Sequence, residues 1–190
     1  WGFLCTTKFD VTYTGKPAHA GIEPNAGRNA LAAACSATLQ LLGIPRHGSG
    51  MTRVNVGMLN AGKGRNVIPP NATMVMEVRG ETAEINDYMA EQAMAIIKGN
   101  AVSYGVEYDV RKMGAACDMK NDPDMIEALR DVAKGIPEIK TITEKANFGG
   151  SEDASLLARR VKDHGGKVAF FVNGADREAG HHQFNFDVNE

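Results

Sequence analysis

Phe9–Gly21 reads FDVTYTGKPAHAG, an alternating apolar and polar segment followed directly by a loop that holds His19 between glycines. The alternation of Phe9, Val11 and Tyr13 with polar residues predicts a strand with one apolar face. Glycine permits backbone conformations that other residues avoid, and proline fixes one backbone angle, so we expect an ordered loop. A histidine presented in this way can hydrogen-bond a ligand near neutral pH. An ordinary surface turn that contains a histidine fits the loop alone equally well.

Three further segments alternate with the same period of two, and they are centred on Val54–Met58, Met74–Val78 and Val106–Val110. One helical segment lies between the first and second strands, and another lies between the third and fourth. The order βαββαβ predicts a four-stranded antiparallel sheet with both helices on one face. The other face and one sheet edge or helix are left available to a partner.

The two helices are predicted from the spacing of their apolar residues. Residues 29–42 carry an apolar stripe at helical spacing, and Gly43 follows them. Residues 82–104 carry a second stripe, and Thr82 is the expected N-cap. The stripes consist of Leu31, Cys35, Leu39 and Leu42 in the first helix and of Ile85, Met89, Ala93, Ile96 and Ile97 in the second.

From about Met113 the pattern changes. Helices are predicted over residues 122–134 and 151–162, with Ser151 as the N-cap of the second and with acidic residues in its first turn. Lys167–Val172 is a continuous apolar run, typical of a strand in a buried parallel sheet. Because these elements are too few for an independent core, we expect the tail of an α/β domain whose beginning lies outside this chain.

The composition narrows the class of protein. The 190 residues are 43% hydrophobic, which suits one large domain or two small ones. A net charge of −2 gives no electrostatic footprint for nucleic acid or anionic membrane, and no apolar run has the ~20 residues of a membrane span. The three cysteines have no CxxC spacing, which predicts neither a disulfide framework nor a zinc knuckle and favours the cytoplasm. The chain starts at Trp1, and we expect it to be part of a longer protein.

Besides the His19 loop, residues 62–70, GKGRNVIPP, form a second motif. Its Asn66 carries an amide that can donate and accept hydrogen bonds. Arg79, at the end of the following strand, carries a guanidinium fork suited to a carboxylate. Taken singly, an asparagine in such a loop is usually a turn former, and an arginine at a strand end is usually solvated.

Two more motifs lie in the last quarter of the chain. Residues 148–155, FGGSEDAS, place Gly149 and Gly150 before a predicted helix, where exposed backbone N–H groups suit an anion, although an ordinary helix start looks the same. Residues 180–186, GHHQFNF, contain adjacent histidines that point in different directions, so at most one is expected to bind a given metal. Two histidines alone, without other ligands nearby, would be unremarkable.

In this order and spacing, the four motifs resemble the co-catalytic metallopeptidase and amidohydrolase family that includes carboxypeptidase G, bacterial succinyl-diaminopimelate desuccinylase and the plant auxin-conjugate amidohydrolases. The amidohydrolase branch is the most similar, through GKPAHAG, GRNAL, NVIP, RG and SED. The resemblance covers essentially the whole chain. It implies an α+β fold in which a ferredoxin-like lid that dimerises interrupts a zinc-peptidase-like α/β catalytic domain. Residues 1–7 would be a linker, 8–112 the lid, and 113–190 the C-terminal portion of the catalytic domain.

The resemblance also implies an activity, namely metal-dependent cleavage of the amide bond of an N-acyl or N-aroyl amino acid. One such substrate is p-aminobenzoyl-glutamate, which would yield p-aminobenzoate and glutamate. In the family, the residue matching His19 reaches the neighbouring subunit's active site and stabilises the tetrahedral oxyanion. Asn66 and Arg79 match residues that hold substrate carboxylate or carbonyl groups, and Gly149 and Gly150 match the loop that lines the substrate pocket.

The family uses two divalent cations, zinc or manganese, and His182 matches one of their ligands. Most metal ligands and the general-base glutamate are expected outside this chain, so we expect the chain alone to bind no metal tightly and to be inactive. The implied partners are the small-molecule substrate and a second copy bound through the lid, with a second type of subunit left open. The alternative is a non-catalytic dimerisation or ligand-binding module with a ferredoxin-like fold, in which the histidines are incidental.

Overall fold

The computed structural model describes residues 2–143, 150–174 and 179. The chain divides into two compact units, Trp1–Lys120 with Thr143–Gly166, and Asn121–Ile142 with Lys167–Glu190. In chain order the strands and helices are β1 (Gly2–Phe3), β2 (Cys5–Thr14), α1 (Ala30–Leu42), β3 (Thr52–Ala61), β4 (Asn71–Gly80), α2 (Ala83–Tyr104), β5 (Glu107–Ala116), β6 (Met119–Lys120), α3 (Pro123–Lys134) and α4 (Ala154–Asp163).

The first unit is built on a four-stranded antiparallel sheet in the order β3-β4-β2-β5. The register places Val11 opposite Met74 and Val110, so these apolar positions fall on one face. A register shift between Val56 and Met58 places Met58, predicted on the same face, opposite Val75 on the other face. Strands β3 and β5 form the two edges, and β1 pairs separately with β6. The predicted α+β class and the order βαββαβ are confirmed.

Helices α1 and α2 cover the apolar face of this sheet and close the core. Tyr13 is fully buried there, and its hydroxyl donates a 2.9 Å hydrogen bond to the Ile97 carbonyl of α2. Burial raises the pKa of Tyr13. Thr82 caps α2 as predicted, because its Oγ1 accepts from the Ile85 amide, and Gly105 ends the helix in the left-handed conformation with φ 61°.

The buried face of α1 differs from the predicted stripe. Four alanines and one leucine face the sheet, namely Ala30, Ala33, Ala34, Ala37 and Leu41. Leu39 is 74% exposed and Leu42 is 47% exposed, and Cys35 is exposed as well. The prediction was wrong because it followed the largest apolar side chains, whereas small alanine side chains let a helix pack close to a sheet. The larger side chains are left as an apolar row on the outer surface of α1.

Helix α4 begins three residues later than predicted, and Ser151 is not its N-cap. The helix starts at Ala154, and Asp153 occupies the capping position without a side-chain capping bond. The Ser151 hydroxyl instead donates a 2.6 Å hydrogen bond to the Leu4 carbonyl. Ser151 therefore ties residues 150–153 to the chain between β1 and β2, and it is not free to cap the helix.

The second unit contains α3, as predicted, but Lys167–Val172 forms no strand in the described part of the chain. Its backbone amides bond to side chains instead: Val168 donates to Asp122 at 2.7 Å, and Phe170 donates to Asn121 at 2.8 Å. Since side chains satisfy these amides, the segment is held without a partner strand. Among the helices of the described residues, none combines the length and apolar character needed to cross a bilayer.

Candidate functional site

At one end of the sheet, residues 15–28 and the β3–β4 connection 62–70 pack together, and we call these two segments the tip. Three backbone hydrogen bonds join the segments. Gly15 donates to Pro70 at 2.7 Å, the Ala20 amide to the Asn66 carbonyl at 2.9 Å, and the Ile68 amide to the Ala18 carbonyl at 2.9 Å. His19 and Val67 are also paired as an isolated antiparallel bridge. The tip therefore holds the His19 backbone beside that of Asn66.

The loop that carries His19 is closed on itself by a second pair of backbone hydrogen bonds. Lys16 and Arg28 exchange two bonds, of 3.0 and 2.9 Å. Gly15 makes this closure possible, because a Cβ atom at that position would lie 2.1 Å from the Arg28 carbonyl oxygen. Only glycine allows the backbone to approach so closely. The order expected for this loop thus has a steric basis.

The His19 ring is fixed by its own loop. Its Nδ1 accepts hydrogen bonds from the backbone amides of Gly21, at 3.1 Å, and Ile22, at 3.2 Å. A ring nitrogen that accepts carries no proton, so the neutral imidazole carries its proton on Nε2. The side chain is exposed. His19 therefore offers an oriented Nε2–H donor to a ligand at the tip.

Asn66 is exposed, and its backbone lies beside that of His19. Within the described part of the chain, no residue hydrogen-bonds its side-chain amide, whereas its carbonyl accepts from Ala20. An exposed amide on a backbone fixed in this way can donate to or accept from a ligand. The structure thus brings together two of the predicted site residues, His19 and Asn66.

Arg79 lies on the sheet face that the helices leave open, near the end of β4. Its Nε and Nη2 contact Glu77 Oε1 at 2.8 and 2.7 Å, and about a quarter of each side chain is exposed. A charge-assisted pair of this kind holds the guanidinium in a defined position. Directly opposite Arg79 in the register lies Arg53 of β3, a second arginine on the same face.

Gly150 lies at the same end of the sheet as Arg79. Its carbonyl accepts a 2.9 Å hydrogen bond from the Leu4 amide. Leu4 is two residues before Thr6, which pairs with Arg79 in the β2–β4 register. The predicted site residues that the structure describes therefore form two groups, His19 with Asn66 at the tip, and Gly150 with Arg79 at the opposite end.

These two groups are far apart within one copy of the chain. Strand β4 starts at Asn71, next to the tip, and Arg79 lies eight residues further along it. At a rise of about 3.4 Å per residue, this places Arg79 about 27 Å from the tip along the strand. A ligand the size of an acylated amino acid spans much less than this distance. One copy cannot contact such a ligand with both groups at once.

Two predicted site residues, Gly149 and His182, lie outside the described residues, as does His181. In the part of the chain that the structure describes, no three His, Cys, Asp or Glu side chains are grouped closely enough to hold a metal ion. The described residues therefore do not form a metal centre by themselves.

The two buried cysteines, Cys5 and Cys117, lie in surroundings that do not suit a catalytic nucleophile. Cys5 and Cys117 are buried and free, and Cys5 Sγ accepts a 3.0 Å hydrogen bond from the Asp118 amide. Burial is the main cause that raises the pKa of Cys5, from 9.0 to about 11. The reactive form of cysteine is the thiolate, so Cys5 remains a protonated thiol at neutral pH.

Glu77, the partner of Arg79, is a site residue that was not predicted from the sequence. A signal for it was present, because residues i and i+2 of a strand point to the same face. A glutamate two positions before the arginine could have been recognised as its ion-pair partner. The separation between Arg79 and the tip was likewise available from the strand length, once the strand ends were known.

Comparison with known proteins identifies a family over the first part of the chain. The sequence pattern described as peptidase dimerisation domain matches residues 6–105. This range runs from Thr6 to the residue after α2, and it contains the whole tip and Arg79.

Individual relatives match over nearly the whole chain. The p-aminobenzoyl-glutamate hydrolase subunit homolog of Haemophilus influenzae is 52% identical over 99% of this chain and 44% of its own length. The indole-3-acetyl-aspartic acid hydrolase of Enterobacter agglomerans is 45% identical over 98% of this chain and 44% of its own length. The crystal structure of an aminobenzoyl-glutamate utilization protein from Klebsiella pneumoniae superimposes with a TM-score of 0.79 at 44% identity, over 87% of this chain and 42% of that one. The chain thus spans less than half the length of each.

Proposed function

Because this chain belongs to the peptidase dimerisation domain family, we propose that it is part of an amidohydrolase that acts on N-acyl or N-aroyl amino acids. A suitable substrate is p-aminobenzoyl-glutamate, cleaved to p-aminobenzoate and glutamate. Two relatives support this choice, since their names refer to amides of glutamate and of aspartate. The rest of the enzyme would correspond to the region of the relatives that this chain does not span. The free cysteines are in keeping with a cytoplasmic location.

In this proposal, residues 8–112 are the lid, 1–7 link it to the catalytic domain, and 113–190 belong to that domain. Two copies associate through the lid. Leu39 is 74% exposed on α1, and α1 contacts β3, an edge strand of the sheet. An unpaired edge next to an apolar row suits a second copy of the same surface. A stable contact would bury at least about 1,000 Å² in total.

Light scattering of the chain at micromolar concentration tests this association. Leu39→Glu places a charge in the proposed contact and is expected to shift the dimer towards monomer. Val102→Glu is the matched control, because Val102 is 75% exposed on the other helix, α2. A chain that stays monomeric, or one whose dimer is weakened equally by both variants, would contradict the proposed contact.

The separation between the tip and Arg79 is the observation that carries the proposed mechanism. Since one copy cannot contact a small substrate with both groups, we assign them to different copies. Arg79 would bind the substrate carboxylate within its own copy, and Gly150 would line the substrate pocket there. His19 and Asn66 would reach the site of the partner copy, where the Nε2–H of His19 donates to the oxygen that becomes negative in the transition state.

We also propose that the complete enzyme holds two divalent cations, zinc or manganese, mainly through residues that this chain does not contain. His182 would be the ligand from this chain, with Gly149 lining the substrate pocket. Metal titration of the full-length protein by calorimetry checks the assignment, because His182→Ala should weaken metal binding and His181→Ala should have a milder effect. If His182→Ala binds metal normally, the ligand has been placed on the wrong residue.

Kinetics of the full-length protein test the roles of the described residues. His19→Ala is expected to lower kcat by about 10²–10³-fold with a smaller change in KM, because an oxyanion donor acts mainly in the transition state. Arg79→Ala is expected to raise KM for substrates with a free carboxylate. His47→Ala, which changes a histidine outside both groups, serves as the control. A near-normal kcat for His19→Ala, or full-length protein that cleaves no such amide, would favour the non-catalytic module instead.

A further inference from the structure

The tip carries an excess of positive charge that the proposed mechanism does not use. Its two segments contain two lysines, two arginines and a single acidic residue, whereas the whole chain has a net charge of −2. The basic residues are Lys16, Arg28, Lys63 and Arg65, and the acidic residue is Glu23. All four basic side chains are exposed.

Two of these charges, Lys63 and Arg65, lie on the β3–β4 connection, directly before Asn66. Among the described residues, none forms an ion pair with either side chain. Gly62 has a left-handed φ of 71°, and Gly64 has only the Asn66 side chain within 4 Å of the position where a Cβ atom would lie. The two cations are therefore presented to solvent on a turn with space around it.

This turn lies close to His19. His19 and Val67 are bridge partners, and Arg65 is two residues before Val67. Standard backbone dimensions then place the Arg65 and His19 Cα atoms within about 13 Å of each other. The Debye length is about 8 Å at physiological ionic strength and about 30 Å at 0.01 M. An anion that approaches His19 therefore experiences these charges strongly at low salt and weakly at high salt.

We propose that Lys63 and Arg65 form an electrostatic entrance that draws a doubly charged substrate, an N-acyl derivative of an acidic amino acid, to His19. The inference rests on the proposed function and specifies its substrate class. Because Coulomb attraction is proportional to charge, a dianion gains about twice the attraction of a monoanion, so the entrance favours amides of glutamate or aspartate over those of neutral amino acids. Because these cations act during approach, they affect kcat/KM and leave kcat unchanged.

The test compares kcat/KM of the full-length protein for p-aminobenzoyl-glutamate and for the singly charged p-aminobenzoyl-alanine, at ionic strengths of about 0.01 M and 0.5 M. The double variant Lys63→Gln with Arg65→Gln should lose about tenfold in kcat/KM for the glutamate amide at low salt. It should lose clearly less for the alanine amide, and nothing for either substrate at high salt. Its kcat should match that of the wild type.

The matched control is Arg46→Gln with Lys112→Gln, which removes the same charge from exposed residues outside the tip. This control should leave the low-salt value for the glutamate amide within about twofold of wild type. The proposed electrostatic entrance is refuted if the double variant Lys63→Gln with Arg65→Gln behaves like the control. It is also refuted if the loss in kcat/KM is equal for both substrates or persists at high salt. Full-length protein that cleaves neither amide overturns the proposed function, and this inference with it. Circular dichroism and a thermal melt of both variants verify that they fold.

Discussion

Replacing Gly15 by alanine tests whether the tip is held by close backbone contact. The new Cβ atom would lie 2.1 Å from the Arg28 carbonyl oxygen and 3.0 Å from the Arg28 carbonyl carbon, and both are backbone atoms that cannot rotate away. The loop must therefore open. Opening removes the two bonds between Lys16 and Arg28 and strains the 2.7 Å bond from Gly15 to Pro70.

The expected cost follows from these contacts. Each backbone hydrogen bond contributes about 1 kcal/mol net, so losing two or three of them should lower the free energy of unfolding by about 2–3 kcal/mol. Gly99→Ala is the matched control, because Gly99 lies inside α2 with nothing within 4 Å of its added Cβ. Replacing glycine by alanine in a helix interior should instead raise stability by about 0.5–1 kcal/mol. The two variants are thus expected to change stability in opposite directions.

Urea unfolding followed by circular dichroism measures both values, and the ¹⁵N chemical shifts of the His19 imidazole report its tautomer. In the wild type these shifts should show the proton on Nε2, since Nδ1 accepts from Gly21 and Ile22. In Gly15→Ala, the preference for this tautomer should weaken as the loop opens. The steric reasoning is refuted if Gly15→Ala is as stable as the wild type and keeps the same imidazole shifts.

Two further predictions concern the other end of the sheet. Glu77→Gln removes the charge that holds Arg79. It should raise KM for free-carboxylate substrates by about 3–10-fold with kcat nearly unchanged, because charge-assisted hydrogen bonds are about twice as strong as neutral ones. Glu77→Asp should recover part of the loss, and an unchanged KM for Glu77→Gln would contradict the positioning role. In the folded chain at pH 8, Cys5 should react with iodoacetamide about 100-fold more slowly than in urea. The reason is that a pKa of about 11 instead of 9.0 lowers the thiolate fraction of Cys5 by about that factor. The labelling rate of folded Cys5 should rise steadily as the pH approaches 11. Exposed Cys35 should change little on unfolding, and rapid labelling of folded Cys5 would show that its burial is wrong.

The sequence predicts the sheet well because strand periodicity and capping residues are local signals. The alternation around Val11 and the cap at Thr82 each depend on a few neighbouring residues, and both are observed. The buried face of α1 could not be predicted in the same way. Alanine is found against a sheet and on the solvent side of a helix with little preference, so only the packing of α1 on the neighbouring strands determines which face is buried. Ser151 was misassigned for a related reason, because its hydroxyl bonds to Leu4, 147 residues away in sequence.

The candidate site was predicted residue by residue but not in its arrangement. The motifs identified His19, Asn66 and Arg79, and they placed Arg79 at the end of the strand that follows Asn66, but they did not show that Gly150 lies at that same end. That arrangement depends on the register of β4 against β2, where Asn71 pairs with Thr14 and Arg79 with Thr6. Periodicity reveals that strands exist, whereas their pairing is set by contacts across the whole four-stranded sheet.

The most direct test of a site shared between two copies is a mixing experiment with full-length His19→Ala and Arg79→Ala proteins. In a mixed dimer, the intact Arg79 of one copy and the intact His19 of the other meet in one site, and both substitutions fall in the second site. With random pairing, half of the dimers are mixed and each has one working site. At substrate concentrations far below KM, where Arg79→Ala is impaired as well as His19→Ala, the mixture should therefore recover about a quarter of wild-type activity. A mixture no more active than the two variants measured separately would show that His19 and Arg79 serve the same copy, and would contradict the shared site.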